Sequence, residues 1–554
     1  MLSSLDKTTS AVRLLIVGAF AAFVAFAGLW ALPPLDRDEA RFAQATAQML
    51  ETGNFVAIWF QEKERNKKPA GIHWLQAASV AAFSDVEKRE IWAYRVPSLF
   101  GVVFAALFTF LAAERLYDQR TAFLAGLLIA SAPVVAAEAT IAKTDGVLLA
   151  LICLAQYAFI EIYARLQEGR AKTWAWSLVF WTTHAGAILI KGPIAPFVSL
   201  LTGLGLTTGK PRIGWVWSMR PVSGLLILFL LIAPWAAAIG YATEGRFFIE
   251  AIGGDMLGKV GQAQESHSGP PGYHAGLVWF LFWPASALLA AGLAHIWRDR
   301  RGWRGRFLLA WLVPVWLFFE FSATKLPHYV LPLYPALAII AAHAALKDGG
   351  AQTALRKIGA IIYAGVGLVA AGLVAVLPVV LSEAPITPLC LTASALIAAA
   401  SLLIARLFWT GRAFAGGVCA AILSALYAWT LMTGVLPGLS KLAVTPRLST
   451  ALETLERHPL KDETAPVALA GYREPSAVFL LGTDTVLTSG AHAAYLLLEG
   501  EVSIAIVESR EEEYFSSIID HGRDDIRTLA VIDGVNYSKG KKVSLKIYAR
   551  EHPN

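Results

Sequence analysis

Charge is what this sequence has little of. Only 16% of its 554 residues are Asp, Glu, Lys or Arg, where soluble domains carry about a quarter. Cysteine is scarcer still. The three present (Cys153, Cys390 and Cys419) lie far apart inside apolar segments without metal-ligand spacing, so they read as small buried hydrophobes. Tryptophan is plentiful at 18 residues but stops at Trp429. No 20–50-residue repeat and no low-complexity tract is visible, which argues against a solenoid and against disorder.

Hydrophobic residues take the place of charge, at 56% of the chain with a mean hydropathy of +0.55. Apolar runs of about 20 residues recur up to residue 437, each long enough to cross a bilayer core of roughly 30 Å. The expectation is a polytopic α-helical membrane protein with about thirteen transmembrane helices. The spans lie near 12–32, 93–113, 121–137, 145–163, 174–190, 192–208, 222–241, 274–297, 305–321, 329–346, 357–381, 386–408 and 412–436. The first run, preceded by Lys7 and Arg13, continues past an Ala25-Phe26-Ala27 triplet that imitates a cleavage site, and is read as an uncleaved helix. The net charge of +6 does not point to nucleic acid, because its basic residues cluster in alternate short loops. Arg298, Arg300, Arg301, Arg304 and Arg306 fill one such loop, while the opposite loops hold little beyond Lys143, Lys191 and Lys325. That asymmetry predicts a cytoplasmic N-terminus, an outer C-terminus and an odd number of spans.

Two outer loops are long, 33–92 and 242–273. The first is expected to hold two interfacial helices, near 37–51 and 70–83. After residue 440 charge returns, and short apolar runs alternate with helical stretches. The reading is a transmembrane domain over 1–440 and a small periplasmic α/β domain over 441–554.

Ionisable residues gather at the outer turns. Asp36-Arg37-Asp38-Glu39 follows the first span. A carboxylate there can serve as base for a sugar acceptor, while Asp36 and Glu39 are also spaced as a helix capping box. Both readings stay open. Lys63-Glu64-Arg65-Asn66-Lys67-Lys68-Pro69 offers cations to a departing lipid phosphate, or simply to lipid headgroups. Asp145, at the start of the fourth span, is either a helix cap or a second carboxylate at the depth of Asp38. The loop 242–273 contributes Asp255, Lys259, Glu265 and His267. His267 has the chemistry to bind a metal or donate to phosphate, although a lone loop histidine more often does neither. Lys191-Gly192-Pro193 reads as a tight outer turn. Lys325-Leu326-Pro327-His328-Tyr329 leads into a span broken by Pro332 and Pro335, where boundary charges tend to line polar cavities.

Taken in order, Asp38-Glu39, Lys68-Pro69, Thr144-Asp145, Lys191-Gly192-Pro193 and the string from Ser322 to Pro335 carry a resemblance. So does Gly471-Tyr472-Arg473-Glu474-Pro475-Ser476 near the C-terminus. The chain resembles a bacterial member of the superfamily containing protein O-mannosyltransferases and lipid A aminoarabinose transferase, over nearly its whole length. The resemblance implies a C-type glycosyltransferase fold in the bacterial inner membrane and an inverting transfer from undecaprenyl phosphate-linked sugar to lipid A or another envelope glycolipid. It implies Asp38 as principal catalytic carboxylate with Glu39 and Asp145 assisting. Lys68, Lys67, Arg65, Lys259, Lys191, Lys325 and His328 are the candidate donor-phosphate ligands. The aminoarabinose transferases have a Glu before the lysine of the Lys-Pro pair, which helps hold a divalent metal. This chain has Lys67 there, so no cofactor is carried over with certainty, and His267 is the remaining metal candidate. The expected partners are the polyprenyl-phosphate sugar, the envelope acceptor and membrane lipids. The rival readings are a lipid-linked-sugar transporter or flippase, protein O-glycosylation, and a non-catalytic assembly factor. Transporters often show paired internal repeats and midplane charges, and neither is visible here.

Overall fold

The computed structural model describes residues 9–170, 172–208, 214–257, 269–347, 351–382, 387–462, 464–519 and 525–550. Helices α1 (Ser10–Ala25) and α2 (Asp38–Thr52) are followed by a two-stranded antiparallel ribbon, β1 (Trp59–Phe60) and β2 (Lys63–Glu64). Helices α3 (Gly71–Phe83), α4 (Ile91–Leu116), α5 (Gln119–Ala130), α6 (Pro133–Ala139), α7 (Asp145–Gln167) and α8 (Trp174–Lys191) come next. Among the described residues, six helices are long and apolar enough to cross a membrane: α4, α7, Pro221–Ala242, Thr353–Leu381, Pro388–Trp409 and one over Ala413–Gly438. A bent pair, α5 and α6, has the length and composition of a broken span or a re-entrant loop, and this is a multi-pass membrane protein.

Several expected spans are shorter or broken, for local reasons. The run over 12–32 is helical only to Ala25, and Gly28 beyond it has φ +77°. The run over 121–137 bends by 63° between α5 and α6. Pro133 has no N–H to continue α5, and the Ser131 carbonyl left open by the break accepts from Ser424 Oγ at 2.6 Å. The run over 274–297 breaks at Phe282, just before Pro284, and the one over 329–346 begins as a 3-10 turn through Pro332.

The frame around the loop 33–92 is held by one buried ion pair. The Arg95 guanidinium on α4 donates from Nε and Nη2 to the two Glu39 carboxylate oxygens, both at 2.8 Å. Its remaining hydrogens go to the carbonyls of Leu29, Leu32 and Pro33. Glu39 in turn accepts from the backbone N–H of Leu35 at 2.8 Å and of Ala142 at 2.7 Å. Both side chains are fully enclosed. The fork-to-fork geometry satisfies donors and acceptors together, which is what makes such a burial tolerable. Glu39 therefore does not form the expected capping box. The cap of α2 is Arg37, with no side-chain cap bond, and Glu39 reaches back to Leu35 instead.

Helices α4 and α7 meet backbone to backbone. A Cβ on Gly101 would lie 2.4 Å from the Gly146 carbonyl carbon, and one on Gly146 would lie 2.8 Å from the Ser98 carbonyl oxygen. Ser98 Oγ donates to the Ile141 carbonyl at 2.7 Å, so the same helix crossing holds the turn before α7. The α3 helix packs as closely on α8, since a Cβ on Gly71 would meet the Leu189 carbonyl oxygen at 2.6 Å.

The C-terminal region builds a five-stranded sheet in the order β4-β3-β5-β7-β6, from β3 (Val467–Ala470), β4 (Val486–Thr488), β5 (Ile504–Glu508), β6 (Ile526–Asn536) and β7 (Lys541–Arg550). Strand β3 runs parallel to β4 and β5, whereas β7 is antiparallel to both β5 and β6. The strands β3 and β5 are buried along their whole length, as central strands covered on both faces are. The sheet region docks on α2, the segment before it, the start of α4 and the β1–β2 turn. Phe479 packs edge-on against Tyr94, with ring centroids 5.3 Å apart. Gln44 Nε2 donates to Thr483 Oγ1 at 2.8 Å, and Gln61 Nε2 to the Thr485 carbonyl at 2.7 Å. Burial at this junction pushes the Asp36 carboxyl up to about 6; Ser476 opposes the rise and Glu474 adds to it.

Two predictions follow from this frame. Arg95→Met should destabilise the protein by about 3–5 kcal/mol by leaving the Glu39 charge enclosed without a partner, and Arg95→Met with Glu39→Leu should regain most of that loss. Thermal melting in detergent reads both; a single variant that melts with the parent would remove the pair from its structural role. For Asp36, the folded pKa lies above the unfolded value, so the folded state takes up the extra proton. Stability is then lost as pH rises from about 4 to about 6, and stays lost above that. Asp36→Asn should raise the melting temperature at pH 7.5 and leave it nearly unchanged at pH 4.

Candidate active site

Asp38 is the first residue of α2, and its side chain is exposed. It makes no hydrogen bond or ion pair among the described residues. The turn that delivers it is unusual: Arg37 has φ +68° and ψ −110°, the conformation of the first central residue of a type II′ turn. Glycine adopts that conformation freely, whereas a side chain makes it cost on the order of 1–3 kcal/mol. The chain accepts the strain because Glu39, the next residue but one, is anchored to Arg95.

A second carboxylate, Asp145, opens α7 and is buried. Lys191 Nζ, from the end of α8, donates to Asp145 Oδ1 at 2.6 Å. Gly192 (φ +72°) and Pro193 end α8 there, which is the tight turn expected from the sequence. Lys143 Nζ lies 3.6 Å from Asp145 Oδ2 and 3.0 Å from Glu138 Oε1, while His328 Nε2 lies 4.0 Å from Asp145 Oδ1. Burial works to lower Lys143, but Glu138, Asp145 and Asp38 outweigh it and hold the ammonium above its ordinary value. Burial, reinforced by Lys143, pushes His328 down to about 3, so the imidazole is neutral near pH 7. The Asp38 charge is felt at both Lys143 and His328, so it lies near that cluster, though it touches none of its members among the described residues.

The structure thus brings Asp145, Lys191 and His328 together with Asp38 close by, and adds two residues that the sequence reading did not single out as site residues. Glu138 was the signal available: one acid inside an apolar run is a functional flag in a membrane segment. Its Oε2 has no hydrogen-bond partner among the described residues. Lys143 was noted only as a loop charge. Glu39, expected beside Asp38 in catalysis, has its lone pairs committed to Arg95, Leu35 and Ala142, so it departs from that expectation and supports the frame instead. Lys325, expected at the donor phosphate, donates from Nζ to the Gly269 carbonyl at 2.8 Å and is not in the Asp145 cluster.

The basic run sits on and just after the β1–β2 ribbon. The Arg65 guanidinium lies 5.2 Å over the Phe42 ring. Phe42 is four residues beyond Asp38 on α2, so both lie on one helix face. Lys67 is exposed and Lys68 half-buried. Next to this face, burial with Arg65 pushes His73 down to about 3, and the neutral ring stacks on Phe42 with centroids 5.4 Å apart. Lys259 and His267 lie outside the described residues. Among the described residues, no three His, Cys, Asp or Glu side chains gather as metal ligands. Asp145 is matched by two lysines, Lys191 and Lys143.

A family model described as dolichyl-phosphate-mannose-protein mannosyltransferase matches residues 15–243. The chain is similar to an undecaprenyl phosphate-alpha-4-amino-4-deoxy-L-arabinose arabinosyl transferase of Erwinia tasmaniensis, 28% identical over 374 residues that make up 66% of this chain and 65% of that one. It thus spans just under two thirds of the length of that relative. Its fold is that of the crystal structure of ArnT from Cupriavidus metallidurans bound to undecaprenyl phosphate, with a TM-score of 0.73 at 18% identity, covering 96% of this chain and 97% of that one. A more distant likeness, with a TM-score of 0.50 at 11% identity, is to the apo oligosaccharyltransferase of Archaeoglobus fulgidus, over 90% of this chain and 69% of that one. The chain is thus similar to the dolichyl-phosphate-mannose-protein mannosyltransferases over residues 15–243 and to the aminoarabinose transferases over about two thirds of its length, and it shares the fold of ArnT.

Proposed function

We propose that this protein transfers a sugar from a polyprenyl phosphate, undecaprenyl phosphate in a bacterium, to lipid A or another glycolipid of the cell envelope. The observation that carries this reading is the contrast between two neighbouring carboxylates. Asp145 is matched by Lys191 and Lys143, whereas Asp38 is exposed with no counter-ion of its own among the described residues. In the proposed reaction an acceptor oxygen attacks the anomeric carbon while the bond from that carbon to the phosphate oxygen breaks. The single displacement inverts the anomeric centre. Asp38 takes the proton of an acceptor hydroxyl; if the acceptor is a phosphate, it orients that group instead. The leaving polyprenyl phosphate gains negative charge, which Lys68, Lys67 and Arg65 offset. Asp145 holds Lys143 and Lys191 at the edge of the cluster, where their ammoniums face the same developing charge.

The topology that goes with this reading has thirteen spans, a cytoplasmic N-terminus, a transmembrane domain over 1–440 and a periplasmic domain over 441–554, in the inner membrane. The alternation of basic loops supports it. The resemblance to lipid A aminoarabinose transferase favours a lipid acceptor, and the family model's description favours a protein. Mass spectrometry of lipid A and of envelope glycoproteins from a deletion strain separates the two.

Asp38→Asn should abolish transfer from a labelled lipid-phosphate sugar, with a loss of about 100-fold or more, while membrane insertion is kept. Turnover close to that of the parent would end the assignment of Asp38 as base. Lys68→Ala should raise the KM for the donor by about 10-fold, the loss of one charge-assisted phosphate contact; an unchanged donor dependence would remove Lys68 from the phosphate site.

A further inference from the structure

The segment that delivers Asp38 is gripped from the C-terminal sheet region. The tip of the hairpin between β6 and β7, Asn536 to Lys541, sits on it. The Asp36 backbone N–H donates to the Tyr537 hydroxyl at 2.5 Å, and Arg37 Nη2 donates to the Ser538 carbonyl at 2.7 Å. The tip itself is braced: Asn536 Nδ2 donates to Glu474 Oε1 at 2.7 Å, Lys539 Nζ lies 3.7 Å from the same oxygen, and Ser538 Oγ donates to Asn536 Oδ1 at 2.8 Å. These contacts fall on the two residues before Asp38. One of them, Arg37, holds the strained backbone (φ +68°) that points Asp38 away from the Arg95–Glu39 pair.

We propose that the β6–β7 hairpin tip is a positioning element for the reaction: Tyr537 and Ser538 hold the Asp36-Arg37 turn in its strained form and thereby set the direction of the Asp38 carboxylate. The role in turnover rests on the function proposed above; the clamp itself does not. Strain of this kind persists only where the surroundings over-determine it. On the Glu39 side the clamp is the enclosed ion pair, and on the Asp36 side it is the hairpin. With one side released, the turn relaxes toward a conformation that arginine prefers, and Asp38 moves with it. A misplacement of about 1 Å at a reacting group costs up to about 100-fold in rate.

The test replaces Tyr537–Gly540 by Asn-Gly, a two-residue turn that the Asn536–Lys541 pairing accepts. Tyr537→Phe serves as the milder variant that removes the hydroxyl alone. Hydrogen exchange in the full-length protein in nanodiscs reads the clamp directly. The amides of Ala40 and Arg41 donate to the Leu35 and Arg37 carbonyls across this turn. The shortened hairpin should speed their exchange by about tenfold or more, and Tyr537→Phe by less. Adding Arg37→Gly to the shortened hairpin should slow exchange again, because glycine holds the turn without strain. In the transfer assay the shortened hairpin should lower kcat by about 10–100-fold with the donor KM within about twofold, and Arg37→Gly should recover part of kcat. Unchanged exchange in the shortened hairpin, or faster exchange that Arg37→Gly does not slow, overturns the clamp. Faster exchange with unchanged kcat overturns its role in positioning Asp38. A parent protein that transfers no sugar refutes the enzyme reading, while the exchange measurements still decide the clamp.

Discussion

The enclosed Arg95–Glu39 pair is the constraint on which the rest of the outer architecture depends. It ties four separate pieces of chain to one point: the end of the first apolar run, the start of α2, the body of α4 and the turn before α7. Two opposite charges removed from solvent are stable only when every donor and acceptor is used, and here each is. Because α2 begins at this pair, the residue just before Glu39 is turned outward. Because Ala142 is held by it, the Lys143–Asp145 turn is fixed against the same frame. The site is thus a by-product of how the frame closes.

Electrostatics then separates acids of similar sequence appearance. Glu39 is consumed by the frame. Asp145 is neutralised by lysines from its own turn and from the end of α8. Asp36 is enclosed at the junction with the sheet region. Asp38 alone among these keeps an open carboxylate, and that difference, more than its motif, singles it out for the proposed chemistry. The glycine contact between α4 and α7 belongs to the same logic. Gly101 and Gly146 let two backbones approach so closely that Asp145 reaches the cluster from the first turn of its helix.

Much of this was legible in the sequence. The apolar runs announced a multi-pass protein, since only long hydrophobic helices solve the backbone hydrogen-bond problem in lipid. Glycine and proline marked some of the breaks, as at Gly192-Pro193 and Pro332, but not those at Pro133 and Pro284, where continuous spans were expected. The alternation of short apolar runs after residue 440 marked strands. The acids and bases that gather near Asp38 and Asp145 were visible because charge is rare here and therefore conspicuous.

Pairing was not legible. Arg95 sits inside an apparent span and looked like one more residue of it; nothing in its neighbours names Glu39, 56 positions earlier, as its partner. Glu138, on a helix set off from α5 by a 63° bend, meets Lys143 and through it Asp145 only in the folded chain. Tyr537 meets Asp36 across 501 residues. By itself the sequence determined that the chain is built of repeated apolar helices and that a sheet region follows them, because both follow from local hydropathy and backbone chemistry. Which acid is buried, which is neutralised and which stays open was decided by the tertiary structure, because the energy of a charge depends on what surrounds it in space.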